Sequence, residues 1–310
     1  MMVQNMGQII RSERIKRGYT QEELSFGICT TATLSRIECG LHNPTRAIIR
    51  AVLDKLGNVD YNFVELEGKS ISEVSIKKQR IAKYLFTEQI SEARKELELL
   101  QSKQVSEELL DQQFLGAANA FVDIYEHKYS ISTYHDLLKL IRLTIVNYNQ
   151  KQELNYILTF NETFLILVIA YYELMTSNIE VGKDMLEKLL SSIRKRTMNI
   201  GIENALYSSA EKLYAYAWFL EGNYKKALNV LDNMIQYCTA SGSIDEVALV
   251  AKEKAICESK LGYMEQTKET VLNSYYALKA MKLYRAAECL KSYAAKYLKL
   301  EFHATYMIGE

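Results

Sequence analysis

The chain has 310 residues, 48% hydrophobic and 25% charged, with 38 basic against 38 acidic side chains. That is a globular composition, long enough for two domains or for one small domain and a repeat array, and its zero net charge argues against indiscriminate coating of nucleic acid. A single proline and 13 glycines are too few turn residues for a β protein of this length, so an all-α fold with long helices is expected.

Hydrophobic spacing predicts a first helix over about 6–17, then a second over 21–27, a third over 31–39 and a fourth over 45–56. Thr20 and Glu23 have the spacing of a capping box, in which each side chain satisfies a backbone N–H at a helix start. Leu24 and Ile28 give the second helix its apolar face. In the third, Leu34 and Ile37 turn inward and Gly40 is placed to stop it. Thr31, Ala32, Thr33, Ser35 and Arg36 then face outward, a row of short side chains and one cation that suits insertion into a DNA groove better than a catalytic pocket. Arg11, Arg14, Lys16 and Arg17 oppose Glu13 alone on the first helix, and Arg36, Arg46 and Arg50 follow, a local basic cluster able to meet phosphates.

Within this module, Gln21 and the start of the second helix are expected at a phosphate, because helix N-termini hold anions. Thr31, Ala32 and Thr33 occupy the turn that reaches base edges, Arg36 is placed for guanine or phosphate, and Ser35 for phosphate or packing. A short segment at 61–66 is expected to close a DNA-binding domain spanning residues 1–66. Gly68, Ser70 and Ser72 mark a linker at 67–71, and a repeat domain fills 72–310.

The second part repeats at about 40 residues. Ala215, Gly222, Tyr224 and Ala227 stand where a tetratricopeptide unit places its helix contacts and turn. Ala255, Gly262, Met264 and Thr267 repeat the frame, with weaker copies at Ala170, Ile179 and Gly182 and at Ile90 and Ala93. Helix pairs are expected near 72–101, 106–147, 152–196, 202–240 and 244–279, with a terminal helix around 283–299. Such pairs stack into a right-handed superhelix whose concave face binds extended ligands. Asn119, Asn161 and Asn204 recur about one repeat apart on the first helices of successive pairs, where an amide can both donate to and accept from a peptide backbone. Glu162, Tyr171 and Tyr207 lie nearby. Each of these residues has an ordinary structural alternative, as an exposed helix position, a cap or packing filler.

Gly7, Ile10, Arg14, Gly18, the TQEEL run at 20–24, Ile28-Cys29, LSRIE at 34–38, Gly40 and Pro44 together resemble the Cro/repressor-type helix-turn-helix superfamily. More narrowly, they resemble the Rgg/PlcR group of peptide-pheromone-responsive regulators, the RRNPP class. The resemblance implies that Glu38 forms a structural ion pair with Arg14. It also implies a short intracellular signalling peptide on the concave face of the repeats and a homodimer on double-stranded DNA. Left open by the residues themselves are a regulator whose repeats dock a protein partner, and an adaptor that does not touch DNA.

No chemistry competes with this reading. The G-x-S-x-G elbow, the phosphate-binding G-x-x-x-x-G-K-[ST] loop and H-E-x-x-H are missing, so no enzyme is expected. The five cysteines lack a C-x-x-C, and the four histidines lack metal-ligand spacing; neither a metal nor a cofactor is expected. The chain has no stretch of 18 apolar residues and no basic-then-apolar leader, which predicts a cytoplasmic protein without membrane contact.

Overall fold

The computed structural model describes residues 6–56, 69–102, 109–151, 153–154, 157–195, 202–241 and 244–300, and contains no strand among them. Four helices come first: α1 (Met6–Lys16), α2 (Gln21–Ser25), α3 (Thr31–Glu38) and α4 (Arg46–Leu56). The capping box forms as the spacing requires, with Thr20 Oγ1 accepting from Glu23 N at 3.1 Å and Glu23 Oε2 accepting from Thr20 N at 2.7 Å. A second cap lies at Thr30, whose hydroxyl oxygen accepts from Thr33 N at 3.1 Å and starts α3. Thr45 accepts from Ile48 N in the same way and so lies just outside α4.

α2 ends at Ser25, two residues earlier than the spacing predicts. Phe26 turns to φ −53° and ψ 129°, out of helical conformation, and the Lys55 ammonium donates to the carbonyl thus exposed. Ile10, Leu24, Leu34, Ile37, Val52, Leu53 and Leu56 form one core, each at most 1% exposed. Burying side chains of this size is worth roughly 1.5–3 kcal/mol apiece, enough to hold helices too short to stand alone. The expected segment at 61–66 lies outside the described residues, as does the start of the expected linker. Residues 69–71, expected to be linker, already belong to the next helix.

Beyond this module the helices pair as α5 (Lys69–Phe86) with α6 (Ile90–Ser102), α7 (Leu109–Tyr125) with α8 (Ile131–Arg142) and α9 (Phe160–Met175) with α10 (Ile179–Lys195). They continue as α11 (Ile202–Leu220) with α12 (Tyr224–Ser241) and α13 (Ile244–Leu261) with α14 (Met264–Ala280). A last helix, α15 (Tyr284–Tyr293), runs into a π-helical turn at Ala294–Leu298. The chain is therefore all-α, a helix-turn-helix module followed by tetratricopeptide-like pairs. No helix among the described residues is long and apolar enough to cross a membrane.

The chain divides into two compact units, Met1–Leu85 with Ile90–Ala210 and Phe86–Gln89 with Glu211–Glu310. In the first, α9 packs against α7, α8 and α10. In the second, α13 lies between α12 and α14, and α15 follows on α14. The small residues of the predicted frame are buried: Ala170, Ala227, Ala255 and Thr267 fully and Ala215 nearly so.

One turn closes most of these pairs. A residue in left-handed conformation lets the following N–H reach back five residues, as Asn223 N does to Trp218 O and Tyr263 N to Glu258 O. Gly222 and Gly262 supply that conformation at φ 76° and 79°. His127, Ser177 and Lys282 adopt it too, at φ 57°, 67° and 60°, with Lys128, Asn178 and Leu283 making the same backward bond.

Gly7 tests how tightly the first module is packed. A Cβ built on it would lie 1.9 Å from the Ile37 carbonyl oxygen, so α1 and α3 touch through backbone. Gly7→Ala is expected to cost about 1–3 kcal/mol or more by forcing the two helices apart. Amide hydrogen exchange in α3 should accelerate accordingly, and unchanged exchange there would contradict the packing.

Candidate functional site

The outer face of α3 carries Thr31, Ala32 and Arg36 exposed to solvent, with Thr33 and Ser35 half-buried beside them. Leu34 and Ile37 hold the opposite face in the core. Two hydroxyls of this row are already in use. Thr33 Oγ1 lies 2.8 Å from Thr30 Oγ1, and Thr31 Oγ1 lies 3.3 Å from Ser25 Oγ, so both help to fix the start of the helix.

Glu38 closes α3 at only 2% exposure. Arg14 meets it with a fork, Nε to Oε1 at 2.6 Å and Nη2 to Oε2 at 2.9 Å, while Arg14 Nη1 donates to the Tyr19 carbonyl at 2.8 Å. Gln21 Nε2 adds a further bond to Glu38 Oε2 at 2.8 Å. Burial pushes the Glu38 carboxyl up, but the hydrogen bonds from Arg14 and Gln21 and the charges of Arg14 and Arg11 outweigh it and hold the group below the ordinary carboxylate range. The same bond to Glu38 raises the Arg14 guanidinium. One carboxylate thus ties α1, α2 and α3 together. Gln21, expected at a phosphate, commits an amide N–H to this lock.

The basic cluster of α1 divides in two. Arg14 points inward to Glu38, and Arg17 pairs with Glu13 at 10% side-chain exposure. Arg11 and Lys16 remain on the surface, Lys16 with a loose 3.8 Å approach to Glu13. With Arg36 they leave a modest basic surface around α3; the side chains of Arg46 and Arg50 lie outside the described residues.

The residues expected to line the repeats are not brought onto one open face. Asn119 on α7 is exposed, whereas Asn161 on α9 is 1% exposed. Glu162, at 3%, closes a capping box with Thr159, accepting from Thr159 N at 2.7 Å. The cause is α9 itself, apolar around nearly its whole circumference and covered by α7, α8 and α10. Tyr207 is half-buried on α11, its hydroxyl 3.4 Å from Arg194 Nε. Tyr171 stacks on Phe121 at 5.1 Å between ring centres. Asn204 lies on α11 with its side chain outside the described residues. Sequence reasoning missed a buried ion pair, Lys78 Nζ to Asp111 Oδ1 at 2.7 Å, which joins α5 to α7. Its only sequence signal is a lysine and an aspartate at inward helix positions.

Comparison with known proteins agrees with this geometry. The helix-turn-helix family model matches residues 10–64. The described part of that match, residues 10–56, folds as a helix-turn-helix module. No curated protein matches the chain. Among solved structures, the chain is similar to Bacillus thuringiensis PlcR in complex with a peptide and DNA, with a TM-score of 0.61 and 20% identity over 92% of this chain and 98% of that one. It is also similar to ComR from S. thermophilus in complex with DNA and its signalling peptide, at TM-score 0.54 and 16% identity over 94% and 99% of the two chains. The competence regulator ComR from Streptococcus vestibularis, bound to its cognate signalling peptide, gives 0.51 and 15% over 94% and 97%. The chain therefore shares its fold with PlcR and ComR over 92–94% of its length.

The lock on α3 is electrostatic and so depends on pH. Because folding lowers the Glu38 pKa, its stabilisation is complete above the unfolded value of about 4.3 and is lost as pH falls through the folded one. Protection of α3 amides relative to their intrinsic exchange rates should therefore fall below about pH 4 in the wild type and far less in Glu38→Gln. At pH 7, a double-mutant cycle between Arg14→Ala and Glu38→Ala should give a coupling of about 1–3 kcal/mol; a value near zero would show that the pair does not hold the helix.

Proposed function

We propose that this chain is a cytoplasmic, homodimeric transcription regulator. It binds double-stranded DNA sequence-specifically through α3 and answers to a short signalling peptide bound by its helical repeats. The observation that carries the DNA reading is the face of α3: an eight-residue helix, locked at its far end by Arg14 and Glu38, that exposes Thr31, Ala32 and Arg36. The Ala32 methyl and a threonine methyl suit thymine methyl groups, and Arg36 suits guanine or a phosphate. Thr33 and Ser35 border the row, and the start of α2 beside Gln21 offers backbone N–H groups to a phosphate. In a dimer, two copies of α3 would address half-sites about 34 Å apart, or a multiple of that.

For the repeats, the support is the shared fold with PlcR and ComR, both of which have been solved with peptides bound. Asn119 and Tyr207 are the expected contacts that reach solvent here. Asn161 and Glu162 would take part only after α9 is uncovered. A bound peptide can shift the regulator between two states only by its difference in affinity for them.

Titration of the full chain with an operator duplex at several salt concentrations tests the first half. Affinity should fall steeply with salt, and Arg36→Ala should weaken it by about 1–3 kcal/mol and flatten the salt slope by up to about one charge. Binding that ignores both salt and Arg36 would reject the DNA reading. For the second half, a cognate peptide at about 100 times its Kd should stabilise the chain by about 2.7 kcal/mol in thermal unfolding. Co-purification with a folded protein, without stabilisation by any short peptide, would favour a protein-docking array instead.

A further inference from the structure

Two lysines occupy one relative position in successive repeats. Lys212 lies on α11 and Lys252 on α13, each a helical turn before the frame alanines Ala215 and Ala255. Both reach Phe86–Gln89, the turn between α5 and α6. The Lys212 ammonium donates to the Phe86 carbonyl, and Lys252 Nζ lies 2.9 Å from Glu88 Oε1 and 3.2 Å from Glu253 Oε1. The four turn residues belong to the second unit with these lysines, although the helices on either side of them belong to the first. Glu88 holds its place at φ 61°, a left-handed conformation that a residue with a Cβ disfavours.

The two ammonium groups are unequally served. Lys252, 6% exposed, has two carboxylates at hand. Burial pushes its pKa down, but Glu253 and Glu88 outweigh it and raise the group above the ordinary lysine value. Lys212 keeps some exposure along its side chain while its ammonium is enclosed, and its donor contact is a neutral carbonyl. Among the described residues no carboxylate stands within ion-pair distance of it, and burial lowers its pKa against the more distant pull of Glu88 and Glu253. Glu88 itself is half-buried, its side chain 27% exposed.

We propose that Lys212 and Lys252 form a carboxylate-binding site, which the α5–α6 turn fills with Glu88 and the Phe86 carbonyl until a carboxylate of the regulating peptide replaces them. This rests on the peptide reading above. A ligand carboxylate has two acceptor oxygens, one for each ammonium group, and would bring Lys212 the counter-charge it lacks. The same exchange releases the turn, and α5 is the next described helix after the DNA-reading module in the chain. Two sources supply the carboxylate, the peptide's C-terminus and an acidic side chain.

The test uses the full chain and three arrayed sets of heptapeptides. One set has free C-termini and no Asp or Glu, the second is the same set amidated, and the third is amidated but contains Asp or Glu. One of the two carboxylate-bearing sets should bind about tenfold more tightly than the carboxylate-free set, and which one does so identifies the source. Lys212→Met should remove that advantage and Glu88→Gln should increase it, while binding speeds amide exchange at residues 86–89. Equal binding of all three sets, or an advantage that survives Lys212→Met, overturns the site and leaves the peptide reading standing. Failure of every set to bind the folded chain overturns both. Should Lys212→Met not fold, Glu88→Gln decides alone, and an unchanged preference in it overturns the proposal.

Discussion

The placement of α3 depends on one buried carboxylate. An eight-residue helix has little stability of its own, and its two core residues, Leu34 and Ile37, fix which face is inward but not how the helix is oriented about its far end. Glu38 supplies that restraint by accepting from Arg14 on α1 and Gln21 on α2. Removing one partner of such a pair strands a buried charge, typically at a cost of about 3–5 kcal/mol, so alternative placements of α3 are disfavoured. Close backbone contact at Gly7 sets the distance, and the charge pair sets the angle. Together they leave Thr31, Ala32 and Arg36 outward on a rigid support, which is what groove reading requires.

Polar groups specify geometry in the repeats as well. Glu173, 5% exposed near the end of α9, accepts from Gln150 at 2.9 Å and from Asn178 at 2.7 Å, tying the turn after α9 to the segment before it. The Tyr172 hydroxyl donates to the Ser130 carbonyl and the Tyr129 hydroxyl to the Met175 carbonyl, pinning the α7–α8 turn against α9 in both directions. Apolar burial supplies most of the stabilisation here, but it is non-directional. These bonds are directional and fix how the α7–α8 turn and the segment before α9 meet that helix.

Much of this was legible in the amino-acid sequence where a local signal and a tertiary need coincide. The Thr20–Glu23 box, the Leu34–Ile37 pair of α3 and the glycines at 222 and 262 each name their structure, and the helix pairs fall where the frame places them, whereas Ile28, expected on the apolar face of the second helix, lies beyond its end at Ser25. The turns at His127, Ser177 and Lys282 were not legible, because the packing of flanking helices there overrides the usual penalty on a left-handed non-glycine residue. Arg14 and Arg17 read as part of a basic surface, yet both are held inward, Arg17 by Glu13 four residues earlier on its own helix and Arg14 by Glu38, a partner that the resemblance implies and spacing does not. Asn119 and Asn161 are the same residue one repeat apart, one exposed and one sealed. Spacing reports the repeat period, while burial depends on which helices cover the position, and α9 is covered on several sides.

The account stands or falls on α3 entering a duplex groove. Selection of bound sequences from random double-stranded DNA by the full chain tests this directly. The account predicts enrichment of a two-fold-symmetric site with half-sites one turn apart or a multiple of it, whose preferred bases change when Ala32 and Arg36 are substituted. Enrichment of no sequence, or of a sequence indifferent to those two residues, would contradict it.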